Sequence, residues 1–412
     1  MCASSIRNYE LLAPAGDMER LQTALRFGAD AVYCGGPMLQ LRAGTVGFSM
    51  DDLQNAAAAV HALGKRLYVT VNAFARNDDI DAVGEYARSL KRAGADAVIV
   101  SDLGLIRTII REAPDLDVHV STQANCINYA AANVYYDMGA KRVVLGREMT
   151  LDQIIELRKR VPDDLELEAF VHGAMCMAYS GRCMISAYLT GRSANRGACT
   201  QSCRWKYHLM EETRPGEYFP VEENDEGMTI LSSFDMNCMD FLDRLMDAGV
   251  TSFKIEGRMK SPFYVATVTN AYRKRIDALL SGTADDAQLS LLQRELNAAS
   301  HRPYASGFYF GEMKRHAPDS GAYLQDTTFV GMVRSCAGGR VVFEQRNRVF
   351  DGDVIEVLSP DTLGASFIAR DIIDANGVPC AVAARPSEIY SMACDIPLHA
   401  GDLLRKRQTQ CV

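Results

Sequence analysis

Short apolar runs alternate with helical patterns over residues 9–280. The first run, Glu10–Ala15, precedes a helical pattern at Met18–Phe27, with Asp17 suited to an N-cap and Gly28 to a helix end. Seven more β-rich runs follow at Ala31–Cys34, Leu67–Ala73, Ala97–Val100, Val118–Thr122, Arg142–Leu145, Leu165–Val171 and Ser252–Ile255. Helical patterns trail most of them, at Met50–Leu63, Asp81–Arg92, Leu103–Glu112, Tyr129–Met138, Leu151–Val161 and Tyr264–Leu280.

Eight such units predict a parallel sheet with helical crossovers, and their combined length matches a (β/α)₈ TIM-like barrel. A doubly wound open sheet is the alternative, but no GxGxxG fingerprint follows the first strand. A glycine ends the helix before several strands, at Gly28, Gly94, Gly139 and Gly249. These positions predict helix-to-strand turns on the face of the barrel opposite its active face.

The sequence pattern changes at about Asp326. From there, short β-rich runs are separated by Gly and Asn turns such as Gly338-Gly339 and Asn376-Gly377. This pattern predicts a small C-terminal all-β barrel domain. We therefore expect a barrel over residues 1–285 with a cysteine-rich insertion after strand 7 at about 172–240. A connecting segment over 286–325 and a β domain over 326–412 would follow it.

Composition is that of an ordinary globular enzyme, with 48% apolar and 23% charged residues in 412, which excludes global disorder. The net charge of −8 argues against a wholly basic nucleic-acid binder but leaves room for a local basic patch. No apolar run reaches the roughly 18 residues that a membrane helix needs. The first ten residues lack a signal-peptide pattern, so we expect a cytoplasmic protein without a membrane partner.

Polar side chains cluster at the carboxyl ends of the predicted strands, which is the face that carries catalysis in TIM barrels. We expect Glu168, His172, Glu256 and Arg258 to act in catalysis. Candidate substrate-binding residues are Arg42, Asn72, Gln123, Arg147, Glu148 and Lys254, together with Trp205 in the loop after strand 7.

Five cysteines, Cys176, Cys183, Cys199, Cys203 and Cys238, begin directly after the seventh predicted strand. Thiolate-rich ligation suits zinc or an iron–sulfur cluster. Zinc sites usually use CxxC pairs, and none occurs here, so the irregular spacing favours a 4Fe–4S cluster. Buried unligated cysteines remain an alternative, whereas a reducing compartment disfavours disulfides. A cubane takes four thiolates, so one of the five is surplus.

The cysteine segment resembles the signature of the collagenase-like peptidases, U-type peptidase family 32. The resemblance is carried by Glu168-x-Phe170-x-His172-Gly173-x-x-Cys176, by Cys183 and Ser186 after it, and by Lys254-Ile-Glu256-Gly-Arg258-Met-Lys260. The opening Leu11-Leu-Ala-Pro-Ala-Gly16 and the stretch Tyr304–Phe310 are also similar to the family. Length and layout most resemble its branch for 5-hydroxylation of tRNA uridine, the TrhP type.

The resemblance implies hydroxylation of the wobble uridine to 5-hydroxyuridine, in the anticodon loop of tRNA. It further implies a 4Fe–4S cluster held by Cys176, Cys183, Cys199 and Cys238, with Cys203 as a rival for the third ligand. Prephenate, a small dicarboxylate, is the implied co-substrate, and paired arginines would suit it. Hydroxylation of ribosomal RNA or of a quinone precursor is the nearest alternative.

Two other classes of function stay open from the sequence. The family's historical name implies a collagenase-like peptidase, but the chain has no HExxH motif and no recognisable serine triad. A non-enzymatic scaffold with a structural cluster is the other class. Basic residues favour RNA, both next to the cysteines, at Arg192, Arg196, Arg204 and Lys206, and after the eighth predicted strand, at Lys260.

Overall fold

A computed structural model describes residues 9–41, 47–176, 183–202, 223–224, 227–228, 234–311 and 323–407. The chain divides into two compact units. The first unit contains residues 1–25, 29–260 and 301–323, and the second contains residues 26–28, 261–300 and 324–412. The predicted boundary at 285 therefore falls inside the part of the chain that belongs to the second unit.

The first unit contains twelve strands among its described residues. Their bounds are β1 Glu10–Pro14, β2 Ala31–Gly35, β3 Arg66–Val71, β4 Ala97–Val100, β5 Asp117–Val120, β6 Arg142–Val144, β7 Glu166–Ala174, β8 Glu223–Asn224, β9 Gly227–Met228, β10 Asp235–Asn237, β11 Ser252–Ile255 and β12 Tyr304–Ala305. Strands β1 to β7 pair in chain order, and β11 pairs in parallel with both β7 and β1. These eight strands form a closed parallel barrel, which confirms the predicted fold.

Helices lie between the barrel strands and continue into the second unit. Their bounds are α1 Met18–Arg26, α2 Met50–His61, α3 Asn77–Arg92, α4 Leu103–Glu112, α5 Tyr129–Asp137, α6 Leu151–Arg158, α7 Ile185–Thr190, α8 Leu242–Asp247, α9 Pro262–Ser281 and α10 Asp286–Asn297. In the described ranges, none of the helices has the length and apolarity needed to cross a bilayer.

Local signals in the sequence account for the ends of these elements. Asp17 accepts a hydrogen bond from the backbone N–H of Arg20 through Oδ1 at 2.9 Å, which is the expected cap of α1. Gly28, Gly94 and Gly139 have φ angles of 98°, 94° and 100°. Because this left-handed region favours glycine, the chain can turn there from a helix directly into the next strand.

Strand β7 is longer than the other barrel strands because it has a different partner at each end. Its first part pairs with β11, from Ser252 opposite Glu168. Its last part pairs antiparallel with β10, with Asn237 opposite His172 and Asp235 opposite Ala174. Strand β10 leads back from the cysteine-rich insertion, so both ends of that insertion are fixed to the same strand of the barrel.

The second unit combines α9 and α10 with eight antiparallel strands. Their bounds are β13 Thr327–Ala337, β14 Arg340–Gln345, β15 Val349–Phe350, β16 Val354–Leu358, β17 Ser366–Ile368, β18 Val382–Ala383, β19 Ile389–Ala393 and β20 Leu403–Arg407. Six form one sheet in the order β17-β16-β20-β13-β14-β19, and β15 pairs with β18. The predicted all-β C-terminal domain is confirmed.

A buried ion pair joins α10 to the sheet within the second unit. The Arg405 side chain is 1% exposed, and its two terminal nitrogens donate to the Glu295 carboxylate at 2.8 and 2.7 Å. The Arg405 Nε donates to Glu356 at 3.0 Å. The α10 helix lies in the predicted connecting segment 286–325, so that part of the chain is structured and belongs to the second unit.

Candidate active site

A cavity of about 420 Å³ opens at the carboxyl ends of the barrel strands, and all of its lining residues belong to the first unit. Side chains from several strands and from the cysteine-rich insertion line it together. The predicted site residues in its wall are Asn72, Gln123, Arg147, Cys176, Cys183, Cys199, Lys254, Glu256 and Arg258. This volume lies within the range of small-molecule sites in proteins.

Lys254 is a buried cation of the cavity wall, and it is 4% exposed. Its Nζ donates to Glu168 Oε1 at 2.7 Å and lies 4.5 Å from the ring centre of Tyr33. Burial lowers the pKa of Lys254, and the Glu168 carboxylate opposes that shift. The pair thus places the Lys254 ammonium group against two aromatic rings at the cavity, the second being Phe170.

Glu168 itself lies inside the barrel and does not line the cavity. Its carboxylate is fully buried, and Oε2 accepts hydrogen bonds from Arg142 Nη1 at 3.0 Å and Ser252 Oγ at 3.2 Å. Arg142 also donates to Glu10 at 2.6 Å. Glu168 is therefore placed to support Lys254 electrostatically, which differs from the direct catalytic contact that the sequence predicts.

Arg147 and Glu256 form a second ion pair in the cavity wall, at 2.8 Å from Arg147 Nη2 to Glu256 Oε2. The guanidinium also donates to the Ala174 carbonyl at 2.8 Å and lies 3.7 Å from the ring centre of Phe170. The Nε of Arg147 is buried and has no hydrogen-bond partner among the described residues. Stacking on the ring fixes the guanidinium plane, so this unused donor has a fixed direction.

Arg258 is held by strand β3 and by the loop after β2. Its Nη1 donates to Thr70 Oγ1 at 3.1 Å and to Gln40 Oε1 at 3.3 Å. Only glycine fits at two positions around it. A Cβ on Gly16 would lie 2.3 Å from the Arg258 carbonyl oxygen, and one on Gly35 would lie 2.7 Å from Arg258 Nη1. The family-like Gly16 of the opening segment therefore makes room for the arginine.

Ser186 organises the part of the insertion that carries Cys199. This serine is 2% exposed, and its Oγ lies 3.9 Å from Cys199 Sγ. It accepts from the N–H and the Oγ1 of Thr200 at 3.2 and 3.1 Å, so its own proton is available to the sulfur. The N–H of Gln201 also donates to Cys199 Sγ, at 3.4 Å. Two donors thus point at one sulfur.

The insertion is attached to the barrel next to the cavity. Arg196 Nη1 donates to the Phe74 carbonyl at 2.7 Å and to Asp79 at 3.0 Å. The N–H of Phe74 donates to the Asn195 carbonyl at 2.9 Å, and Asn195 Nδ2 donates to the Cys183 carbonyl at 3.1 Å. These bonds position the cysteine segment 183–202 over the end of β3.

Cys238 and His172 lie beside the cavity, and neither side chain lines it. Cys238 is fully buried, and its N–H donates to the Val171 carbonyl at 3.0 Å. Burial raises the pKa of the Cys238 thiol well above its ordinary value. His172 is 1% exposed, and its Nε2 lies 3.5 Å from the Tyr304 hydroxyl. Burial lowers the pKa of His172 to about 3, so the ring is neutral.

The remaining predicted residues are placed as follows. Asn72 and Gln123 line the cavity, and Asn72 Oδ1 is buried without a hydrogen-bond partner. Glu148 is half-buried and is absent from the cavity wall of the described chain. Arg42 and Trp205 lie outside the described residues, and so does Cys203, the rival third ligand.

Several cavity residues escaped the sequence analysis because their types carry no chemical signal. They include Tyr33, Thr70, Ser121, Asn195, Ser202 and Tyr323. Strand periodicity could have found Tyr33 and Thr70, since each occupies an inward-facing position of its strand. The position of Tyr323 has no comparable signal in the sequence.

The four proposed ligand cysteines carry free thiols, and three of them share one cavity. Within the described ranges, no three Cys, His, Asp or Glu side chains surround a common point as a single metal ion requires. A 4Fe–4S cubane makes a different demand, because each thiolate binds its own iron corner. Spread thiols around a cavity therefore suit a cluster better than a structural zinc ion.

Two family models match the chain. The model described as peptidase family U32 covers residues 16–318, and the model of its C-terminal domain covers residues 325–405. Together they span nearly the whole chain, and the first alone spans more than half of it.

Three curated relatives differ in the function that their names state. The tRNA hydroxylation protein P1 of Bacillus subtilis is 35% identical over 96% of this chain and 94% of its own length. A protein of Porphyromonas gingivalis named collagenase is 34% identical over 75% of each chain. The 23S rRNA 5-hydroxycytidine C2501 synthase of Escherichia coli is 38% identical over 70% of this chain and 42% of its own. This chain belongs to peptidase family U32.

Proposed function

We propose that this protein is an RNA hydroxylation enzyme that converts the wobble uridine of tRNA to 5-hydroxyuridine. The observation that carries the proposal is the convergence of three of the four implied ligand cysteines and five cationic side chains on one cavity. The cations are Arg147, Arg192, Lys254, Arg258 and Lys260, and Glu256 is the one carboxylate among the described wall residues. A cationic wall suits a phosphodiester substrate and a carboxylate co-substrate.

The choice of tRNA rests on how the relatives align. The relative named for tRNA hydroxylation matches over 94% of its own length, whereas the relative named for ribosomal RNA matches over 42%. The match to the tRNA relative thus extends over both units of this chain. Ribosomal RNA is the alternative substrate, with a quinone precursor after it.

We further propose that Cys176, Cys183, Cys199 and Cys238 hold a 4Fe–4S cluster. Carbon 5 of uracil is not an ionisable position, so adding oxygen to it needs oxidant chemistry, and a cluster can supply the electron transfer. Glu256 orients Arg147, and Glu168 sustains the charge of Lys254. Arg258, fixed by Thr70 and Gln40, supplies a second cation for a dicarboxylate such as prephenate.

A peptidase reading lacks support from the cavity. A serine nucleophile needs a base within hydrogen-bond reach. The cavity wall, as far as the chain is described, contains no histidine, and Ser186 is bonded to Thr200 and Cys199. Purified protein loaded with iron should therefore leave gelatin intact in a zymogram. Gelatin cleavage that a Cys176→Ala variant loses would contradict the proposed function.

The cofactor proposal is tested on protein purified without oxygen. It should be brown, absorb broadly near roughly 400 nm and hold about four iron atoms per chain. Cys176→Ala, Cys183→Ala or Cys238→Ala should bleach it. Stoichiometric zinc in freshly purified protein would overturn the cluster. The substrate proposal is tested by nucleoside mass spectrometry on separate tRNA and ribosomal RNA fractions from a deletion strain.

A further inference from the structure

Helix α7 presents an apolar surface at the mouth of the cavity. Its residues Ile185 and Ser186 line the cavity, whereas Tyr188 is 89% exposed, Met184 67% and Leu189 45%. At a rise of 1.5 Å per residue, Tyr188 lies about 3–5 Å along the helix from the cavity wall. We name Met184, Tyr188, Leu189 and Arg192 the α7 rim.

Arg192 gives the α7 rim its charge. It is exposed and lines the cavity, and Gly191, with φ of 69°, ends the helix and turns the chain just before it. Its backbone N–H donates to Thr190 Oγ1 at 3.4 Å. No carboxylate of the described chain lies within ion-pair distance of its guanidinium. Its positive charge is therefore available to a ligand.

We propose that the α7 rim binds the RNA strand next to the target base. A neighbouring base stacks on the Tyr188 ring, and its phosphate contacts Arg192. This inference rests on the proposed function and adds to it the surface that recognises the strand. Single-stranded RNA is commonly bound by an exposed aromatic ring together with a nearby arginine, because every base has a stacking face; here Tyr188 and Arg192 are four residues apart, and Arg192 has no ion-pair partner in the described chain.

Charge decides between RNA and a protein partner for this surface. The described wall of the cavity that borders the α7 rim carries five cations, Arg192 included, and one carboxylate in a chain whose net charge is −8, so positive charge is concentrated there. The RNA backbone provides a phosphate at every nucleotide, which matches a cation in the cavity wall two residues after the end of α7. The short apolar face of α7 offers room for one stacked base.

The α7 rim is also fixed before any ligand binds. Asn195 and Arg196 attach the chain just after Arg192 to the barrel, and Ser186 binds Thr200 at the start of the helix. A surface held in this way loses little conformational entropy on binding, so the stacking energy appears as affinity.

The test measures binding of a fluorescent anticodon stem-loop RNA to cluster-loaded protein. Tyr188→Ala should weaken binding by about 5- to 150-fold, which corresponds to about 1–3 kcal/mol of stacking. Tyr188→Phe keeps the ring and should bind within about twofold of wild type. Arg192→Gln should flatten the dependence of log affinity on log salt by about 0.7, because one phosphate contact is lost.

Tyr129→Ala is the matched control, since Tyr129 is a partly exposed tyrosine at the start of another helix, α5. It should leave affinity unchanged, and iron content and melting temperature should be equal in all variants. Wild-type affinity in Tyr188→Ala would overturn the inference while leaving the proposed function intact. Failure of the wild type to bind or modify any RNA would overturn the proposed function. If Tyr188→Ala lost binding of a peptide while its affinity for the RNA stayed at the wild-type value, the inference would also be overturned.

Discussion

The buried pair of Glu168 and Lys254 links the stability of the barrel to the charge of the cavity wall, and the Glu168→Gln variant tests this link. The carboxylate is fully buried and accepts from Lys254 at 2.7 Å and from Arg142 at 3.0 Å. Breaking a buried pair on one side costs about 3–5 kcal/mol, since the remaining charge has no compensation. At roughly 2 °C per kcal/mol for a unit of this size, the melting temperature should fall by about 6–10 °C.

The sign of the pH dependence follows from Lys254. Its pKa is already lowered by burial, and Glu168 is the largest opposing influence, so Glu168→Gln lowers that pKa further. A lysine whose pKa is lower in the folded chain than in the unfolded chain destabilises the fold at low pH, and stability recovers as pH rises toward 10.5. The stability deficit of Glu168→Gln should therefore be smaller at pH 9 than at pH 7.

Thermal unfolding of wild type, Glu168→Gln, Lys254→Met and the double variant measures this coupling. The double variant removes both charges, and the methionine chain can pack against Tyr33 and Phe170, so it should recover about half or more of the loss. Lys254→Met should lose RNA hydroxylation because it removes the cation from the cavity, and Glu168→Gln should lower it because Lys254 loses the carboxylate that positions its ammonium group. A Glu168→Gln variant within about 1 kcal/mol of wild type, or a double variant no more stable than Glu168→Gln, would refute the reasoning.

Three more predictions follow from single contacts. Ser186→Ala removes a donor to the Cys199 sulfur, so potentiometry should show a lower cluster midpoint potential at unchanged iron content, and an unchanged potential would contradict that role. Gly35→Ala should weaken binding of a dicarboxylate by about tenfold or more in calorimetry, because its Cβ would displace Arg258; unchanged affinity would count against Arg258 as an anion ligand. His172→Phe should remove the acid sensitivity that comes from this ring. The His172 pKa is about 3 in the folded chain against 6.5, so wild type should lose about 3 kcal/mol of its free energy of unfolding two pH units below 6.5. Equal urea midpoints for both proteins at that pH would contradict the burial argument.

The sequence predicted the barrel well because each of its strands is a compact apolar run with a turn at both ends. The observed β4 is Ala97–Val100, as predicted, and β11 is Ser252–Ile255, as predicted. The elements of the second unit were harder to predict from the sequence. Its β19, Ile389–Ala393, and helix α10 were missed, since a half-exposed strand and a polar helix give weak periodicity.

The site was predicted by residue type and less well by position. Strand-end reasoning brought Arg147, Glu256 and Arg258 to one cavity, where the structure places them. It could not place His172, which pairs with Asn237 of β10 and whose ring lies near the Tyr304 hydroxyl and does not line the cavity. That pairing joins residues distant in sequence, and no local pattern encodes it. Ligation by Cys176, Cys183, Cys199 and Cys238 stays a prediction.

Nucleoside mass spectrometry of total tRNA tests the central claim most directly. A strain lacking this gene and its paralogues should lose 5-hydroxyuridine and the nucleosides derived from it. Wild-type protein and a Cys380→Ala control, whose cysteine lies in the second unit, should restore them, whereas Cys176→Ala should not. Unchanged 5-hydroxyuridine in the deletion strain, or full restoration by Cys176→Ala, would contradict the account.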